Sequence, residues 1–300
     1  MRVDPQFIQG IVGALGQNAA QQQHVSTDIS TGVSVNSLSD NPIAAAQDFL
    51  LRSEQSVNDN FVQTATSASG NLQVADTALG SVVSQITQAI TLATEGNNGT
   101  LNSSDRISIA NQLSGVRDEI LSLANSNYQG QYLFGGSQTS TQPFSLNNAT
   151  TPATVVYAGD GVQNTLQSPS GQTFALNLPG NQVFGSGSNG ILATLSNLIS
   201  EFSSGSSSAA SMADGTTLSA DLQTVSQQRV VLDNSLSALQ SSNTYTQNQT
   251  TQLQSAENNL IQTNTAEAAS QLSSITTQHA ALTDIIASLD QQPTLFDVLK

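Results

Sequence analysis

From Ile8 onward the chain repeats a gap of three and a gap of four: Ile8, Ile11, Leu15, Asn18, Gln22, Val25 and Ile29. That spacing places these residues on one stripe of a helix. Asn18 and Gln22 make the stripe partly polar, which lowers stability but fixes register against a particular partner. Thr31-Gly32 is a stop signal, and the polar run to Asp40-Asn41-Pro42 reads as a linker.

Pro42 suits a first helical position, and a long helix is expected to about Thr94, with Ala68, Leu72, Ala75, Leu79, Val82, Ile86, Ala89 and Ala93 as its seam. Residues 95–99 break it. Ser103 or Ser104 then caps a helix carrying Ile109, Leu113, Val116, Ile120 and Leu123. After Tyr128 the period changes, and short runs such as 132–134, 153–157 and 173–176 predict a β-rich insert over roughly 130–185. Asp160-Gly161 fits a hairpin turn within it. A short helix is predicted from Ile191 to Phe202, and residues 203–213, rich in Ser, Gly and Ala, read as a flexible connection.

The three-four pattern resumes at Leu218, Leu222, Val225, Arg229, Leu232, Leu236 and Leu239. A polar interval at 240–252 separates it from a last helix with Ile261, Thr265, Ala268, Leu272, Ile275, His279, Leu282, Ile286 and Leu289 on one stripe, closed by Pro293. The order is palindromic in kind: a chain that goes out and returns can pair its first helix with its last. The expected fold is therefore mainly α, an elongated coiled-coil-like bundle of long helices from both termini with a small β-rich central insert. Its expected parts are 1–40 plus 245–300, 41–129 plus 205–244, and 130–204.

The large apolar residues of the last stripe cannot by themselves offset the entropy of ordering that helix, so the ends are expected to be poorly ordered alone and ordered in an assembly. Ile8, Ile11, Leu15, Val25, Ile29, Leu272, Ile275, Leu282, Ile286 and Leu289 are accordingly the candidate assembly interface. The inner stripes are read as an ordinary intramolecular core.

Composition narrows the function. Hydrophobic residues make up 37% of the chain and aromatics 4%, which suits thin elements sharing cores rather than one thick globule. The net charge is −15, with Lys+Arg at 6, so there is no basic patch for nucleic acid or an acidic membrane surface. Cysteine is absent, which removes disulfides, thiolate metal sites and cysteine nucleophiles. No apolar run resembles a signal-peptide core or reaches the length of a membrane span. His24 and His279 are the only histidines; His279 lies on the last seam and His24 beside Val25 without a carboxylate pattern suited to zinc. Gly185-Ser186-Gly187-Ser188-Asn189-Gly190 matches a dinucleotide fingerprint, but a Ser-rich stretch follows where a second strand is required, which leaves a plain turn. No catalytic residues, metal site or cofactor are expected, and the chain reads as a structural, self-assembling protein rather than an enzyme.

The segment Ile29-Ser30-Thr31-Gly32, with Ser37-Leu38-Ser39-Asp40-Asn41-Pro42-Ile43-Ala44, resembles the N-terminal region of bacterial flagellins, and the run 289–299 resembles their C-terminal end. Residues 128–136 (Tyr-Gln-Gly-Gln-Tyr-Leu-Phe-Gly-Gly), then Gln142-Pro143-Phe144, Val156-Tyr157-Ala158-Gly159-Asp160-Gly161 and Val183-Phe184-Gly185, resemble the hook-associated protein 3 branch of that family, the hook-filament junction proteins. The stretch from Thr31 to Ser37 lacks a basic residue common in relatives. The resemblance implies a structural subunit of the extracellular flagellum, exported by the flagellar type III route without a cleaved signal. Its implied partners are neighbouring axial proteins (another hook-associated protein and flagellin), further copies of itself, and an export chaperone at the C-terminal helix. A short filament-forming flagellin is the alternative.

Overall fold

The computed structural model describes residues 5–290, and side chains over 6–288. The fold is mainly α. Helices α1 (Pro5–Thr31), α2 (Pro42–Gly96) and α3 (Ser103–Ala124) are followed by short strands β1 (Asn127–Tyr128), β2 (Gln131–Tyr132), β3 (Phe144–Asn147), β4 (Thr154–Tyr157), β5 (Thr165–Gln167) and β6 (Thr173–Ala175). Helices α4 (Gly180–Val183), α5 (Ile191–Ser203), α6 (Ala209–Ile261) and α7 (Thr265–Asp290) complete it. The chain divides into two compact units, Met1–Ser56 with Gln249–Lys300, and Val57–Asn248.

Local chemistry sets the helix ends. Asn41 Oδ1 accepts from the Ala44 amide at 3.1 Å, which caps α2 and leaves Pro42 at the first helical position, where it has no amide to satisfy. α3 is capped by Asn102, whose side chain accepts from the Asp105 amide at 2.9 Å, rather than by Ser103 or Ser104 as expected. Both serines lie inside the helix because Asn102 already supplies the capping acceptor one residue earlier. α1 ends where Gly32, at φ +73°, donates back to the Asp28 carbonyl.

Within the unit 57–248, the predicted α2 seam from Ala68 to Ala93 is buried throughout. It joins one core with Ile109, Leu113, Val116 and Ile120 of α3, with α5, and with Leu218, Val225, Leu232 and Leu239 of α6. Arg229 holds its seam position by a bidentate pair to Asp76, at 2.8 and 3.1 Å. The end of α2 meets α5 so closely that a Cβ on Gly96 would stand 2.5 Å from the Phe202 ring.

Two expectations about α6 are corrected. Residues 209–213 of the expected flexible connection are helical, and the polar interval 240–252 does not interrupt the helix. The reason is visible in the burial pattern: after Leu239 the inward positions continue at the same spacing with Ser242 and Thr246, both buried. Small polar residues thus extend a seam that an apolar count loses. Ile261 ends α6 instead of opening the last helix. There the backbone leaves the helix because the Ser34 amide donates to the Ile261 carbonyl at 2.7 Å and the Thr263 amide to the Gly32 carbonyl at 2.9 Å. Asn264 then caps α7, accepting from the Glu267 amide.

The β segments form antiparallel pairs β1–β2, β3–β4 and β5–β6, each two-stranded. Asp160-Gly161 is not the hairpin turn expected of it, since β4 pairs backward with β3 and not forward with β5.

One buried acid in this unit makes stability depend on pH. Asp221 on α6 is half-buried, with Oδ2 lacking a hydrogen-bond partner among the described residues. Burial raises its carboxyl from an ordinary 3.8 to about 6, a hydrogen bond from Thr194 acting the other way. Its raised folded-state value means the stabilising protonated form prevails at low pH and is lost as pH rises through about 6. Asp221→Asn is therefore expected to raise the urea stability at neutral pH by roughly 1 to 2 kcal/mol, discounted for partial exposure, and to change little near pH 4. Denaturation midpoints at the two pH values check it.

Candidate assembly surface and central motif knot

The two terminal stripes face each other within one chain. α1 and α7 pack together in the unit 1–56 with 249–300, and Asn18 Nδ2 donates to Gln278 Oε1 at 3.4 Å. Ile11 and Ile275 are buried, and Leu15, Val25, Ile29, Leu272 and Leu282 are half-buried along the same seam. Asn18 is buried among them, with Oδ1 unpartnered among the described residues. The packing is loose midway, where a groove of about 370 Å³ is lined by Gln21, His24, Val25, Gln271, Ser274, Ile275 and Gln278. His279 is half-buried on the α7 seam.

Other candidates lie outside that seam. Ile8 and Ile286 are exposed, at 46% and 36%, and with Phe7, Val12 and Ile285 they leave apolar side chains in solvent at the start of α1 and the end of α7. The Leu289 side chain, Pro293 and the rest of the run to Leu299 lie outside the described residues. So the structure brings seven of the ten candidates together on one intramolecular seam and leaves Ile8 and Ile286 open.

Three features of this unit escaped the apolar pattern. Gly10, Gly13 and Gly16 lie on an exposed face of α1, where an added Cβ would meet nothing within 4 Å. On α2, Ile43, Phe49 and Leu50 are between 66% and 72% exposed, an apolar face legible in the sequence as the seven-residue step from Ile43 to Leu50. His24 is not a bare surface residue, since it stands between the carboxylates of Asp28 and Asp40. The four-residue step from His24 to Asp28 was a usable signal; Asp40 comes from beyond the end of the helix.

The sequence motifs around residues 134, 144, 160 and 184 converge in the unit 57–248. Phe144 and Phe134 each meet Phe184 edge-on, at centroid distances of 5.3 and 5.2 Å, and Phe144 lies 4.7 Å from the Tyr157 ring. The Tyr157 hydroxyl donates within reach of the Phe134 and Asp160 carbonyls, at 3.0 and 2.9 Å. Asp160 accepts from the amides of Ser137 and Val162 and from the Ser137 hydroxyl. Those bonds, led by the Ser137 hydroxyl, hold its carboxyl below the ordinary carboxylate range. Glycine is required here because the loops touch: Gly136 has φ +70°, and a Cβ on it would collide with Asp160. Gly180 likewise passes 2.6 Å, as Cβ, from the Phe144 ring. The glycine run 185–190 is a turn, with Gly185, Gly187 and Gly190 at positive φ.

No group of metal-ligating side chains occurs among the described residues, and no described helix is long and apolar enough to cross a membrane.

Comparison with known proteins gives this geometry a setting. Residues 12–139 match the bacterial flagellin N-terminal helical region. Over 192 residues the chain is 33% identical to flagellar hook-associated protein 3 of Salmonella typhimurium, covering 62% of this chain and 57% of that protein. Over 122 residues it is 40% identical to flagellar hook-associated protein 3 of Escherichia coli, covering 39% and 37%. The matched region thus spans little more than half of the first relative and over a third of the second. Among solved structures, a candidate flagellar hook-associated protein from Vibrio parahaemolyticus shares the fold with a TM-score of 0.64 at 20% identity, over 74% of this chain and 100% of that one. FlgL of Xanthomonas campestris aligns with a TM-score of 0.50 at 16% identity, over 68% and 96%.

Proposed function

We propose that this flagellin-like chain is a structural subunit of the bacterial flagellum that joins hook to filament and assembles through its paired terminal helices. The observation that carries the reading is the similarity to two proteins called flagellar hook-associated protein 3, at 33% and 40% identity. The role is mechanical and requires no chemical step, so the chain is not read as an enzyme. Its partners are then copies of itself and neighbouring axial proteins, another hook-associated protein and flagellin, with an export chaperone at the C-terminal helix. It reaches the extracellular flagellum by the flagellar export route, without membrane insertion or nucleic acid. The parts 1–40 plus 245–300, 41–129 plus 205–244, and 130–204 then serve as packing, bundle and outer regions.

The terminal pair supports a contact role in two ways. The α1–α7 seam fixes register inside the subunit, while Phe7, Ile8, Val12, Ile285 and Ile286 remain available to a neighbour. The open face at Gly10, Gly13 and Gly16 costs helix stability, roughly 1 kcal/mol per glycine relative to alanine, and lets another backbone come close. Replacing all three with alanine is expected to stabilise α1 in the free chain by roughly 2 to 3 kcal/mol while weakening assembly. Opposite signs in hydrogen exchange and in assembly assays distinguish a contact face from a tolerated surface.

Polymerisation of the purified full chain, followed by light scattering and electron microscopy, tests the main reading. Addition only to hook ends, lost on truncation before Gln6 and after Asn259, is the expected result. Long filaments from the chain alone favour the alternative, a short filament-forming flagellin. Indifference to truncation removes the terminal helices from assembly.

A further inference from the structure

The connector between α1 and α2 is held by a histidine with a carboxylate on each ring nitrogen. His24 Nδ1 lies 3.0 Å from Asp28 Oδ2, one turn along α1, and Nε2 lies 3.3 Å from Asp40 Oδ1 in the connector. The carboxylates are anchored on their far sides. Asp40 Oδ2 accepts from the amides of Asn36 and Ser37 at 3.0 and 2.8 Å, and Asp28 Oδ1 accepts from Asn36 Nδ2 at 2.8 Å. Hydrogen bonds centred on Ser37 hold the Asp40 carboxyl below its ordinary range, so it stays an acceptor into mild acid. The same connector carries the Gly32 and Ser34 bonds to the start of the return chain at residues 261–263.

A neutral imidazole has one N–H and one lone pair, so it can serve only one of two carboxylates as donor; the doubly protonated ring serves both. We propose that His24 is a proton-dependent latch: as imidazolium it clamps Asp28 and Asp40 together and fixes the connector, and on losing a proton it releases one side. Asp28 from α1 and Asp40 from the connector are the charged groups facing the ring. The α7 side chains that line the groove with it, Gln271, Ser274 and Gln278, are uncharged. The clamp is therefore complete while the ring is doubly protonated and both carboxylates are ionised, and it weakens when the ring loses its second proton. This inference concerns the connector alone and stands whether or not the chain joins hook to filament.

The test uses the full chain. Hydrogen exchange of the Asn36 and Ser37 amides, corrected for the intrinsic effect of pH, is followed from about pH 5.5 to about 8.5 beside the ring nitrogen signals of His24 and His279. Both His24 nitrogens should carry protons at the acid end. Protection of the two amides should fall roughly five-fold across the range, with the midpoint of the His24 ring titration. His24→Gln should flatten the dependence and His279→Gln should leave it intact. Constant protection in the unaltered chain, a midpoint that does not follow the His24 ring, or a dependence that survives His24→Gln overturns the latch. If His24→Gln fails to fold, the two midpoints in the unaltered chain decide.

Discussion

Gly136→Ala is expected to cost roughly 3 to 5 kcal/mol and to open the central insert, because two penalties act at one atom. The backbone of Gly136 sits at φ +70°, where a Cβ is strained, and the Cβ has nowhere to go but into Asp160. Asp160 cannot retreat, since it accepts from Ser137 and Val162 and its carbonyl accepts from the Tyr157 hydroxyl. Displacing it should unseat Tyr157 from Phe144 and loosen the aromatic group around Phe184. Gly171 is the control, because it has φ +89° with open space at the Cβ position; Gly171→Ala should cost only about 1 to 2 kcal/mol. Urea denaturation of the two variants, with protease cleavage mapped over residues 130–185, separates strain from collision. Equal losses would mean that the Gly136–Asp160 approach does not hold the insert.

Ile275→Asp is expected to separate the terminal helices without unfolding the unit 57–248. Ile275 is 9% exposed on the α7 seam, so the substitution removes apolar burial and sets a carboxylate into the α1–α7 seam beside Val25. A loss of about 3 kcal/mol or more is expected, and a two-helix pair with a half-polar seam has little reserve to absorb it. Amides along both α1 and α7 should then exchange together, while those beside Leu79 and Ile86 keep their protection. Ile11→Asp should act alike, and the double variant should cost less than the sum, because either change already opens the same pair. Ala281→Asp, on an exposed position of α7, should stay within about 0.5 kcal/mol. On the proposed function, with the terminal pair as the assembly element, addition to hook ends should disappear in both seam variants and persist in Ala281→Asp.

The helices themselves were legible residue by residue, because a 3.6-residue period shows in any window where apolar side chains mark the inward face. Thus the α1 seam, the α2 seam from Ala68 to Ala93, the stop at Gly32 and the restart at Pro42 could all be read locally. The period failed where the inward residue was small and polar. Ser242 and Thr246 are as buried as leucines, yet nothing in their own chemistry announces it, and so the apolar pattern of α6 stops at Leu239 while the helix goes on. The cap of α3 went to Asn102 over the neighbouring serines for a similar reason, since caps are decided by geometry among adjacent candidates. Spacing also determined which residues of the terminal stripes share a face, but not what covers that face. Whether Ile11 and Ile275 meet each other or a second subunit depends on contacts between residues more than 260 positions apart, and only the tertiary structure decides it.

The same division holds at the site-like features. The composition, the charge and the absence of cysteine, together with the motifs at Phe134, Tyr157 and Phe184, belong to the sequence. Their convergence on one aromatic and hydrogen-bonded knot belongs to the fold, because each motif contributes a loop whose position the others set. His24 shows the limit most simply. Its bond to Asp28 is written in a four-residue helical step, whereas its bond to Asp40 exists only because the chain turns back after Gly32, and a turn's direction is a property of three-dimensional packing.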